Sequence, residues 1–318
     1  IYMNTITNTL MARKKYQFLL GLVLLTTISV SGQDKVWADS SYYRASKLPQ
    51  YNEFMNNLYA YPARPRSMWE VGVKFGSPAV SGDVSSVFPA FGWGLHVRKS
   101  LGYTLSLRME YNNGVAYGLH WQQALNYQKN SAWTANGYKA HSTTALATDR
   151  VFYNYKTKFS DFSLQAVVSI GNLNFHNNKT KANFYGIIGT GVTSYDTRVN
   201  ALNASGQKYN FNSIASGTWS TRNDVRDQLN QLLDDTYETK AESASNAPKS
   251  RFNGTLGAGV AIRLSRRLNV ALEDRVLFYR DDLLDGQRWN EAPVGDATLT
   301  RAYDAINFLS LGLNINIF

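Results

Sequence analysis

The chain has 318 residues, a formal net charge of +10 and no cysteine. The missing cysteine excludes disulfides, zinc–thiolate sites and cysteine nucleophiles together, and the Lys and Arg residues are scattered, with no dense basic run interleaved with aromatics, which excludes nucleic acid as an expected partner. With 18% charged and 13% aromatic residues, and 23 Gly against 7 Pro, the composition is that of a strand-rich protein.

From Met11 the chain reads MARKKYQFLLGLVLLTTISVSGQD. A basic start, an apolar run from Phe18 to Val30 and small residues ending at Gly32 are the layout of a secretory signal peptide, and the run is too short to span a bilayer comfortably. Residues 1–32 are therefore predicted to be upstream sequence and a cleavable leader. Residues 33–67 are predicted to form a periplasmic N-terminal segment, and residues 68–318 an outer-membrane barrel.

Beyond Val30 the recurring signal is period-two alternation, in eight segments. Trp69 to Phe75 comes first, then Phe91 to Arg98, joined by a short link to Tyr103 to about Tyr117. The fourth lies within Phe152 to Ile170. There Phe162 to Ile170 keep one parity and Tyr153, Tyr155 and Phe159 the other, which predicts a bulge near Ser160. Asn183 to about Tyr195, Thr255 to Leu264, Leu268 to Tyr279 and Ile306 to Ile317 complete the set. Short links alternate with long ones, roughly Ser77 to Ala90, Leu119 to Val151, Asp196 to Asn253 and Arg280 to Ala305, as in transmembrane barrels with short periplasmic turns and long outer loops. Within the third long loop, Val225, Leu229, Leu232 and Leu233 stand at helical spacing over Thr221 to Glu242, with Thr221 and Asp224 placed as a capping box.

The fold class predicted is an all-β, eight-stranded antiparallel up-and-down transmembrane barrel with one short helix in a loop. Its apolar faces meet lipid, and its other faces carry Glu70, Lys74, Arg98, Arg108, Glu110, Arg263, Glu273 and Arg275 into the lumen. Glu70, Arg98 and Arg263 fall near the periplasmic end and the rest near mid-height, where opposite charges must pair to be tolerated. The expectation is a salt-bridge plug that blocks flow. Asp274 departs from the pattern, because parity turns it outward between Leu272 and Val276.

Four long stretches, Lys47 to Gly76, Ser81 to Tyr111, Asn154 to His176 and Ala271 to Trp289, together resemble the OmpA-like eight-stranded outer-membrane barrels of Bacteroidota. The last strand also resembles the signal read by the barrel-assembly machinery, here Ser310, Gly312, Ile315 and Ile317. The resemblance implies outer-membrane lipid and lipopolysaccharide as surroundings and the assembly machinery as a partner. It implies peptidoglycan only if the chain continues past Phe318 into a wall-binding domain.

Catalytic, metal and cofactor sites are not expected. His96 reads as a structural lumenal residue. His120, His141 and His176 show no spacing with Ser, Asp or Glu that marks a hydrolase. The acidic run Asp281 to Gly286 lacks the ligand pattern of a calcium loop and reads as a solvated loop. The function expected is a non-enzymatic barrel that supports envelope integrity and displays surface loops, with a narrow pore or a surface adhesin or receptor as alternatives.

Overall fold

The structure, a computed structural model, describes residues 40, 43–59, 63, 69–102, 104–140, 149–170, 182–241, 249–265, 267–291, 298–300 and 302–317. The leader expected at residues 1–32, Tyr103, His141 and His176 lie outside these residues. Before the barrel, a short helix α1 (Leu48–Met55) carries Pro49 in its first turn, where a missing amide hydrogen costs nothing.

Eight long strands follow: β1 (Trp69–Ser81), β2 (Ser86–Ser100), β3 (Leu105–Leu119), β4 (Asn154–Ser169), β5 (Ala182–Val199), β6 (Lys249–Arg263), β7 (Leu268–Tyr279) and β8 (Ala305–Ile317). Each pairs antiparallel with the next. β8 returns to β1 along its whole length, from Trp69 opposite Ile317 to Ser81 opposite Ala305, so the sheet is a closed barrel without a free edge. A two-residue strand, Thr239–Lys240, adds to the end of β5.

The barrel is inside out relative to a soluble one. Phe75, Leu95, Leu107, Met109, Leu164, Ile188, Leu256 and Leu311 face the exterior, while Lys74, Arg108, Glu110, Glu273 and Arg275 are buried inside. On β3 the two sets alternate residue by residue, which is the pattern of a transmembrane barrel.

Two expectations about the strands need correction. β1 continues to Ser81 and β2 begins at Ser86, so the long loop expected at Ser77 to Ala90 is only residues 82–85. The ladder continues there, but the inward side turns apolar, with Pro78, Val80 and Ala90 buried, and the period-two signal fades. The bulge expected near Ser160 is also absent, because β4 keeps one register with both neighbours throughout. Tyr155 and Phe159 simply point into the lumen on the same side as Asp161, Ser163 and Gln165. The parity change in the sequence marks a change in lumen chemistry from polar to aromatic. The register shift lies instead in β2, between Val87 and Phe91.

Above the strands, at the end carrying the long loops, an apolar cluster closes the barrel. Val80, Tyr155, Phe159, Tyr195 and Leu277 contribute from the wall, and Trp133, Tyr138, Phe152, Phe211, Leu229, Leu283 and Leu284 from the loops. Two loop helices belong to this cap: α2 (Ser131–Thr134), with Asn130 capping its start through the Ala132 amide, and α3 (Arg222–Leu232). The expected helix from Thr221 to Glu242 is thus shorter. After Leu232 the Asp234 carboxylate draws the chain into a turn by accepting from the Ala204 amide and the Tyr209 hydroxyl, at 2.6 Å each. The expected capping box is not formed, since Thr221 makes no side-chain cap bond and its Oγ1 accepts from the Thr218 amide at 2.9 Å instead.

Candidate functional site: the closed lumen and its cap

The lumen is layered from the turn end to the loop end. In the lowest layer Glu70, on β1, accepts from Arg98 at 3.0 Å and lies 3.7 Å from His96, both on β2. Gly72 makes room for this layer, because a β-carbon there would stand 2.4 Å from the His96 ring.

The next layer is a cluster of five charges from three strands, β1, β3 and β7. Arg108 grips Glu273 with two nitrogens, at 2.7 and 3.2 Å, and its Nε donates to Gln165 at 2.7 Å. Glu110 lies against Lys74, Arg108 and Arg275. Lys74 and Arg275 also reach Glu273, at 3.2 and 3.1 Å, and the Tyr185 hydroxyl donates to the same carboxylate at 3.2 Å. Three cations surround two carboxylates, none of the five side chains more than 5% exposed. An unpaired ion at this depth costs several kcal/mol, so the cluster holds only as a unit. Gly257 leaves space for the Arg275 stem, which a β-carbon would meet at 2.5 Å.

Of the residues singled out from the sequence, Lys74, Arg108, Glu110, Glu273 and Arg275 come together in this layer, and Glu70 and Arg98 pair beneath it. Arg263 takes no part in these ion pairs; it stands at the end of β6 opposite Asn269. Ser310 and Gly312 face the lumen, and Ile315 and Ile317 face outward. Asp274 is exposed on the apolar exterior, opposite Ala258 and Leu309.

Above the cluster, Phe308 lies 5.6 Å from the Lys74 ammonium and 5.8 Å from the Arg275 guanidinium. Asp161 follows, accepting from Thr193 at 2.8 Å and Asn253 at 2.7 Å. Then come the aromatics of the cap.

The run Asp281 to Gly286 is not the solvated loop expected; it is buried throughout. The Leu284 carbonyl enters the barrel mouth and accepts from Thr157 on β4 at 2.5 Å and Thr197 on β5 at 3.3 Å. Gly286 supplies the left-handed backbone, φ +79°, that lets the chain turn out again. Sequence reasoning missed this plug because its acidic residues resemble a wet surface. Their partners lie far away in the chain: Asp281 accepts from Tyr195 and Arg251, Asp282 from Thr300, and Asp285 from the Val84 amide at 2.9 Å, while Asp304 accepts from the Leu284 amide at 2.8 Å. Burial, reinforced by neighbouring carboxylates, pushes Asp285 up to about 7 and Asp304 up to about 9.

His120 lies 3.2 Å from the Ser85 hydroxyl, a pairing invisible in the sequence. Burial lowers its pKa, opposed by a hydrogen bond with Gln122 and assisted by the nearby Arg226. Among the described residues no carboxylate is hydrogen-bonded to it, so a Ser–His–acid arrangement is not assembled. Among the described residues, too, no three His, Asp or Glu side chains are grouped to hold a metal ion.

A closed barrel with an apolar exterior and a filled lumen defines the class. No protein-family model matches the chain, and no curated protein matches it. Solved structures that resemble it include Neisserial surface protein A, at 10% identity over 78% of this chain and 97% of that one with a TM-score of 0.37. Ail, the attachment invasion locus protein of Yersinia pestis, matches at 8% identity over 79% and 99% with a TM-score of 0.36. OprG, an outer membrane protein from Pseudomonas aeruginosa, matches at 8% over 79% and 97% with a TM-score of 0.35. None is similar enough to say what this barrel does.

Proposed function

We propose that the chain is an outer-membrane barrel that closes its own lumen, contributes to envelope integrity and displays an ordered cap of loops, without catalysis. The observation that carries this reading is the pairing of an apolar exterior with a buried, mutually ion-paired charge cluster. In a bilayer the exterior faces lipid, and the cluster and cap leave no open path for solutes. The turn end faces the periplasm and the loop end the outside. Lys156, Lys158 and Arg198 then stand on the outer face near the loop end, where they meet lipopolysaccharide phosphates. Ser310, Gly312, Ile315 and Ile317 serve the barrel-assembly machinery during insertion, after the leader of residues 1–32 has directed export.

Display of loops to a partner is the second reading, favoured by the cap being built around buried aromatics such as Trp133. A narrow pore is disfavoured because it would need water where Arg275 is completely buried.

The test is fractionation combined with protease treatment of intact cells. The chain should partition with the outer membrane, migrate faster on gels unheated than boiled, and be cut only at the loop end. Recovery in the soluble periplasm, or cleavage confined to the short turns, would contradict the reading.

A further inference from the structure

A cavity of about 380 Å³ opens in the cap, its wall including Asp83, His120, Gln122, Gln123, Asn290 and Glu291. That volume is in the range of small-molecule sites. Among the described residues its acidic lining groups are Asp83 and Glu291, and neither Lys nor Arg lines it. The Glu291 carboxylate is held in place by the Leu125 amide and, at 3.5 Å, by Gln287. Asp83 has no hydrogen bond or ion pair among the described residues. Behind the cavity wall stand further carboxylates. Asp304 Oδ1 and Asp285 Oδ2 lie 2.2 and 2.5 Å from where a β-carbon of Gly82 would sit, next to Asp83. Asp304 Oδ1 is buried with no hydrogen-bond partner, and Asp282 acts electrostatically on both Asp285 and Asp304. Burial holds Asp304 protonated near pH 7 and Asp285 partly so, which leaves Asp83 and Glu291 as the carboxylates that attract a cation into the cavity.

We propose that this cavity binds a small organic cation carrying ammonium groups, with Asp83 and Glu291 accepting its N–H bonds and Gln122, Gln123 and Asn290 holding its polar parts. A bare metal ion fits poorly, because no three acidic or His donors are grouped to hold one and the space is far larger than an ion needs. Phosphates and carboxylates are repelled. Burial and the nearby Asp83 raise the pKa of Glu291, a cost that a bound ammonium removes.

Titration calorimetry on the purified, folded full-length barrel in detergent tests this, with spermidine as the probe and calcium chloride and glutarate as comparisons. It reads the cavity directly and does not depend on which way the barrel faces in a cell. Spermidine should bind, glutarate should not, and Asp83→Asn with Glu291→Gln should weaken spermidine at least tenfold while gel migration still shows a folded barrel. Asp83→Asn alone, at an exposed and unpartnered position, should weaken binding without touching the fold. No spermidine binding at millimolar concentration, equal binding by the double variant, or calcium binding in place of spermidine would each overturn the proposal.

Discussion

Glu110 sits among Lys74, Arg108 and Arg275 with its carboxylate shielded from water, and that setting fixes what a single substitution does. Removing one partner of a buried ion cluster leaves the others uncompensated and costs about 3–5 kcal/mol. Arg275→Met should therefore lower the stability of the barrel by about that amount, while Arg275→Lys recovers part of it. Urea unfolding in lipid vesicles, followed by tryptophan fluorescence, measures both. Asp274 is the opposite case, an exposed carboxylate amid apolar neighbours on the lipid-facing side. Asp274→Leu should stabilise the barrel by roughly 1 kcal/mol or more in the same assay, since acidic residues on a lipid face are destabilising.

At the scale of elements, the cap depends on protonation. Asp285 and Asp304 have folded-state values near 7 and 9, against an ordinary value of 3.8. The folded cap thus binds more protons than the unfolded one. Its stability is fully present below about pH 4 and is lost as pH rises through about 7 and then about 9. Chymotrypsin should cut the cap faster at pH 9 than at pH 5, and Asp304→Asn should flatten that dependence. Trp133, fully buried among Tyr138, Tyr153 and Phe211, anchors the same element. Trp133→Ala should cost the cap about 3–5 kcal/mol and raise its cleavage at every pH, while the strands stay protected.

The lower halves of the strands were legible in the sequence, because there the lumen is polar and alternation is clean, as along Leu105 to Tyr111. Their upper halves were not. Where the lumen turns aromatic at Tyr155 and Phe159, the outer face carries Lys156 and Lys158, so the apolar parity inverts and reads as a break in the strand. The charged residues of the site could be named individually from their inward parity. Their grouping depended on register between strands far apart in the chain, which explains why Arg263 has the same parity but another setting. The buried run at Asp281 to Gly286 was hidden for a related reason: its carboxylates are met by Tyr195, Arg251, Thr300 and the Val84 amide, partners distant in the chain that no local pattern announces.

At the scale of the whole molecule, the barrel keeps its apolar side outward and spends its polar residues on closing itself. The charge cluster blocks the middle, Phe308 and Asp161 lie above it, and the cap covers the loop end. Closure is the central claim, and electrical recording tests it most directly. The folded full-length protein in planar bilayers should give only small, brief openings, whereas a steady ohmic current through single molecules would show an open lumen and contradict this account.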